Sequence, residues 1–135
     1  MGGCSHNGGA RPGDALKGCS VLVVEDEYML AEDLCSELRK AGVTVVGPVG
    51  GLNDAIELVS STNTLDGAIL DINVRGEMVF PLADLLSRRG TPFIFSTGYA
   101  SDDIPARYEH IRRCEKPLSI SKVARTLGSQ LGQTH

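Results

Sequence analysis

The sequence predicts an α/β domain: a parallel sheet of five strands with helices on both faces. Two observations carry this. Short apolar runs alternate five times with helix-period stripes, the pattern of a doubly wound sheet with right-handed crossovers. The runs Val21-Leu22-Val23-Val24 and Ala68-Ile69-Leu70 also lack a polar face, as strands covered on both sides require. A length of 135 residues suits one domain.

Residues 1–18 are Gly-rich and nearly devoid of apolar side chains, so they read as a flexible N-terminal arm, with the domain proper over 19–132. The first strand stops at Glu25-Asp26-Glu27. Leu30, Ala31, Leu34, Leu38 and Ala41 then fall at helical spacing, with Arg39 and Lys40 suiting the C-terminal end of the dipole and Gly42 after it. Val43 to Val49 reads as the second strand, and Leu52, Ala55, Ile56 and Val59 as a short helix. The third strand ends at Asp71. Val79, Leu82, Leu85 and Leu86 give a third helix, with Pro81 in its first turn and Gly90 after it. Phe93-Ile94-Phe95 is the fourth strand. Ser101 to Pro105 carries no clean stripe, so the fourth helix is expected to be short or irregular. Ile111 to Cys114 is an edge-like strand, and Ser119 caps a last helix with Ile120, Val123, Ala124, Leu127 and Leu131.

Composition narrows the function. Acids outnumber bases 17 to 13, which argues against a nucleic-acid binder. No apolar run approaches the roughly 20 residues of a membrane span. Cys4, Cys19, Cys35 and Cys114 show no metal-ligand spacing, and three lie in or beside apolar segments as small hydrophobes, so a reduced cytoplasm is expected. Cys4 and His6 alone make a poor metal site and read as part of a solvated tail.

In an open parallel sheet the working site lies beyond the carboxyl ends of the strands, where strand order reverses. The polar residues there are Glu25 and Asp26, Asp71, Ser96 and Thr97, and Lys116 before Pro117. Three carboxylates in one crevice repel one another, and a hard divalent cation such as Mg²⁺ relieves that. A hydroxyl and an ammonium opposite them suit phosphoryl oxygens, which makes this a phosphoryl-transfer site with Asp71 as nucleophile. Any one of these acids alone reads equally well as a solvated turn or cap. Five suitable groups at the ends of four strands do not.

From about Ser20 to Leu131 the chain resembles a two-component response-regulator receiver domain. The resemblance implies a flavodoxin-like sheet of order 2-1-3-4-5. It implies Mg²⁺ held by Glu25, Asp26, Asp71 and the backbone carbonyl of Asn73, and phosphorylation of Asp71 by a histidine kinase. Thr97 and Lys116 would contact the phosphoryl group, and the Lys116–Pro117 bond would be cis. Pro92-Phe93-Ile94-Phe95-Ser96-Thr97-Gly98-Tyr99 resembles the PFxFATGY signature of the single-domain FAT GUY group, with Ser96 for the usual Ala. That group is associated with HWE-type kinases and stress signalling. The implied function is a switch that signals by protein contact rather than an enzyme. A phosphate sink and a phosphorylation-independent binding module are its alternatives. A haloacid-dehalogenase-type phosphatase would need an acid where Asn73 stands, and a flavin carrier would need a phosphate loop after the first strand.

Three departures matter. The usual aromatic switch residue is Arg113, which leaves Tyr99 as a substitute. The usual Pro after the phosphoacceptor is Arg75, so that loop should differ in shape. Glu25 replaces the commoner Asp.

Overall fold

The computed structural model describes residues 14–98 and 104–131. Five parallel strands form the sheet: β1 (Ser20–Val24), β2 (Thr44–Val49), β3 (Gly67–Asp71), β4 (Phe93–Thr97) and β5 (Arg113–Glu115). Their spatial order is β2-β1-β3-β4-β5, as the receiver-domain resemblance implies. The helices are α1 (Tyr28–Lys40), α2 (Leu52–Ser60), α3 (Phe80–Arg89) and α4 (Ile120–Leu131). Among the described residues between β4 and β5, a 3-10 turn, Ala106–Tyr108, stands where the sequence expects a short or irregular helix.

Alternation along each strand divides the core in two. Val21, Val23, Ile69, Ile94 and Cys114 face α1 and α4, meeting Leu34, Cys35, Leu38, Val123 and Leu127. Leu22, Val24, Leu70, Phe93 and Phe95 face α2 and α3, meeting Val59, Leu82 and Leu86. The helix ends follow the sequence signals. Gly90 closes α3 at φ 75, and Ser119 Oγ accepts from Lys122 N at 3.2 Å to cap α4.

The structure corrects three details. Residues 14–18 do not belong to a flexible arm: Asp14–Leu16 form a 3-10 turn, and Leu16 is fully buried against α4. One leucine in a Gly-rich stretch gives no period to read, yet it fills the end of the core. Cys35 and Cys114 are free and buried, whereas Cys19 is disulfide-bonded rather than a free thiol. Pairing between segments leaves no mark in local spacing. Lastly, β2 is irregular. Gly47, at φ 101, precedes a cis Pro48, and the β1–β2 register slips between Leu22 and Val24. A Cβ on Gly47 would lie 3.0 Å from both Val23 O and Val49 N, so glycine is required there.

Candidate functional site

The site lies at the carboxyl edge of the sheet, between β1 and β3, where strand order reverses. Glu25 follows the last residue of β1, and its N–H donates to Val49 O at 3.0 Å, which ties it to the end of β2. Its Oε2 accepts from Glu27 N at 2.9 Å. Asp71, the last residue of β3, is 7% exposed. Lys116 reaches from beyond β5, across the end of β4, to place Nζ 2.9 Å from Asp71 Oδ2 and 2.9 Å from Glu25 Oε1. Its backbone N–H donates to Thr97 O at 2.8 Å, and the Lys116–Pro117 peptide is cis.

Asp26 is exposed, and its Oδ2 accepts from Arg75 N at 2.9 Å. One ligand oxygen from each of Glu25, Asp26 and Asp71 lies within 4.8 Å of the others, a hard oxygen set suited to a small divalent cation. Asn73, two residues beyond Asp71, accepts from Gly76 N at 2.9 Å through its side-chain oxygen. The loop after Asp71 is a tight antiparallel hairpin pairing Asn73–Val74 with Glu77–Met78. Its central residues, Arg75 at φ 52 and Gly76 at φ 81, have the left-handed pair of a type I′ turn. Non-glycine residues avoid that region, and the hydrogen bond to Asp26 helps hold Arg75 there.

Burial pushes the Asp71 carboxyl up to about 6, aided by the negative Glu25 and Asp26 and opposed by the Lys116 hydrogen bond. Burial also disfavours the charged form of Lys116, but the hydrogen bonds to Asp71 and Glu25 outweigh it and the ammonium is held above its usual range. Asp71 is therefore mostly ionised at neutral pH, beside a fixed positive charge. A carboxylate of this kind is a competent nucleophile toward phosphorus.

Thr97 ends β4 and is 5% exposed. By alternation it shares the face of Phe93 and Phe95. Tyr99 lies outside the described residues. Arg113 is exposed on the edge strand, so it cannot stand in for a buried aromatic. The aromatic found on the Thr97 side is Tyr108, which sequence reasoning missed. Its ring stacks on Phe80 at 6.1 Å and meets Phe95 edge-on at 6.1 Å. The Tyr108 hydroxyl donates to Asp84 Oδ1 on α3, and the Arg107 guanidinium grips both oxygens of the same carboxylate at 3.1 and 3.2 Å. These bonds, Tyr108 first, hold Asp84 below its ordinary pKa. Asp84→Ala removes the acceptor of a half-buried hydroxyl, so a loss of about 0.5–1.5 kcal/mol is expected, measured by urea denaturation.

An open sheet with this site at its strand-order reversal defines a class, and the chain belongs to it: the response-regulator receiver family of two-component signalling. No family model matches the sequence. The solution structure of SdrG from Sphingomonas melonis Fr1 superposes with a TM-score of 0.74 at 36% identity, covering 87% of this chain and 98% of that one. The BeF3-activated conformation of SdrG from Pseudomonas melonis Fr1 matches at 34% identity and a TM-score of 0.69, covering 83% of this chain and 95% of that one. The transcriptional regulatory protein PdtaR of Mycobacterium tuberculosis is 30% identical over 112 residues, or 80% of this chain. Those residues make up 54% of PdtaR, so the chain spans about half of that relative. A Burkholderia pseudomallei response regulator, solved with a phosphorylated aspartic acid and a calcium ion, matches at 20% identity and a TM-score of 0.70, covering 84% of this chain and 71% of that one. At that identity it shows the fold alone.

Proposed function

We propose that the chain is a phosphoacceptor switch: Asp71 takes a phosphoryl group from the phosphohistidine of a sensor histidine kinase in a Mg²⁺-dependent reaction. One observation carries this, a buried Asp71 carboxylate bound to Lys116 and flanked by Glu25 and Asp26. In the transfer, an Asp71 carboxylate oxygen attacks phosphorus and the phosphorus–nitrogen bond breaks. The electron pair leaves with the imidazole, which takes up a proton. Lys116 steadies the attacking carboxylate and is within reach of the arriving phosphoryl oxygens. Glu25, Asp26, Asp71 and the Asn73 carbonyl would hold the Mg²⁺, which supplies charge neutralisation for the carboxylate cluster and the transferred oxygens. That SdrG, 34% identical over the match, has a BeF3-activated conformation supports the assignment by analogy.

In this reading Thr97 senses the phosphoryl group, and the Phe95–Tyr108–Asp84 contacts carry the change to the surface. The signal leaves by protein contact, and the chain catalyses nothing beyond its own phosphorylation and dephosphorylation. Tyr28 and Met29, 73% and 71% exposed just after the acidic pair, offer an apolar rim for a kinase. No helix among the described residues is long and apolar enough to cross a membrane. Phosphotransfer from a panel of sensor kinases, HWE-type included, is the test. Wild type should receive label from at least one kinase and Asp71→Asn from none. Transfer to both alike would remove Asp71 from its role.

A further inference from the structure

The Ser96 hydroxyl has no task in the chemistry above. Ser96 is 2% exposed, and its Oγ is, among the described residues, a buried side-chain polar atom with no hydrogen-bond partner. Buried hydroxyls are normally satisfied, and one left alone is destabilising. Its position shows what it faces. In the parallel register Ser96 pairs with Asp71 on one side and Cys114 on the other. Two residues earlier the same pairing joins Ile69 to Ile94, and both face α1 and α4. By alternation, Asp71 and Ser96 project from that same face, on strands about 4.8 Å apart.

Cys114 is already occupied, its Sγ lying 3.3 Å from Thr126 Oγ1 and 3.9 Å from Lys122 O. Asp71 commits Oδ2 to Lys116. The Lys116 side chain crosses the end of β4 to reach Asp71, which explains a small residue at 96. It does not explain a hydroxyl, since alanine is smaller still.

We propose that Ser96 is a further positioning residue of the site, whose hydroxyl donates to an oxygen of the phosphorylated Asp71 side chain. This rests on the phosphoacceptor reading. The unmodified carboxylate has one oxygen engaged by Lys116, whereas the acyl phosphate adds three phosphoryl oxygens beside the row that Ser96 shares. The donor is idle before phosphorylation and engaged after it, so it favours the modified state selectively.

The test uses the full chain, Mg²⁺ and beryllofluoride, a phosphoryl mimic. Ser96→Ala should bind beryllofluoride about tenfold more weakly than wild type, the loss of one hydrogen bond to a charged group. The free variant should melt at a higher temperature, because an unpartnered hydroxyl has gone. A merely structural role would lower both together. Equal beryllofluoride affinity in the two proteins, or a parallel loss of affinity and melting temperature, would overturn the proposal. Failure of the wild type to bind beryllofluoride would instead overturn the phosphoacceptor reading beneath it.

Discussion

Replacing Lys116 with methionine is expected to destabilise the protein by about 3 kcal/mol at neutral pH without divalent cations. The side chain is 18% exposed and lies 2.9 Å from both Glu25 and Asp71, so its removal leaves two shielded carboxylates facing each other with no counter-charge. Methionine keeps much of the stem's packing, which confines the loss to the ammonium. Asp71 already titrates near 6, and without the lysine its pKa rises further. A protonated Asp71 needs no counter-charge, so the deficit should shrink as pH falls through that raised value. Excess Mg²⁺ should also narrow it by binding the folded state. Urea melts at neutral and acidic pH, with and without Mg²⁺, check the sign of each change. A deficit independent of both would make Lys116 a packing residue.

Asp71→Asn should act in the opposite direction. The folded-state pKa of about 6 lies above the ordinary aspartate value of 3.8, so folding favours the protonated form. That contribution is fully present below about pH 4 and is lost as pH rises through about 6. Above pH 6 the wild type carries the full cost of an ionised, buried Asp71, which the amide avoids. The variant should therefore be the more stable protein at neutral pH without divalent cations, by at most about 3 kcal/mol. The two proteins should converge near pH 4. Mg²⁺ reverses the order, because the wild type retains the third carboxylate. Thermal melts across this range test the prediction, and a variant less stable than wild type at pH 7 in EDTA would refute it.

Both predictions concern residues that the sequence exposed readily, for a physical reason. Parallel strands are continuous apolar runs, and a charge that ends one marks the sheet edge where chemistry collects. Glu25, Asp26 and Asp71 each follow such a run, whereas Lys116 follows the edge strand Arg113–Glu115, where Cys114 alone is apolar; the strand order then brings all four together. Tyr108 offered no such signal. It sits among Arg107, Glu109 and His110, and is buried only because Phe80, Phe93, Phe95 and Asp84 arrive from distant segments. Leu16 was hidden in the same way by its Gly-rich surroundings. Arg75 announced a loop of different shape, but its left-handed turn and its bond to Asp26 needed the folded chain. Ser96 was visible as a replacement for alanine, while the lack of a partner for its hydroxyl was not. Periodicity reports burial within one element and is silent on partners supplied by another.

The proposed switch turns on Asp71 accepting a phosphoryl group. Its most direct test is intact-protein mass spectrometry after incubation with acetyl phosphate and Mg²⁺, with borohydride trapping to locate the acyl phosphate. One added phosphoryl group per chain is expected, mapped to Asp71, absent in Asp71→Asn and absent when EDTA removes the cation. An unmodified wild type, or a phosphoryl group that persists in Asp71→Asn, would contradict it.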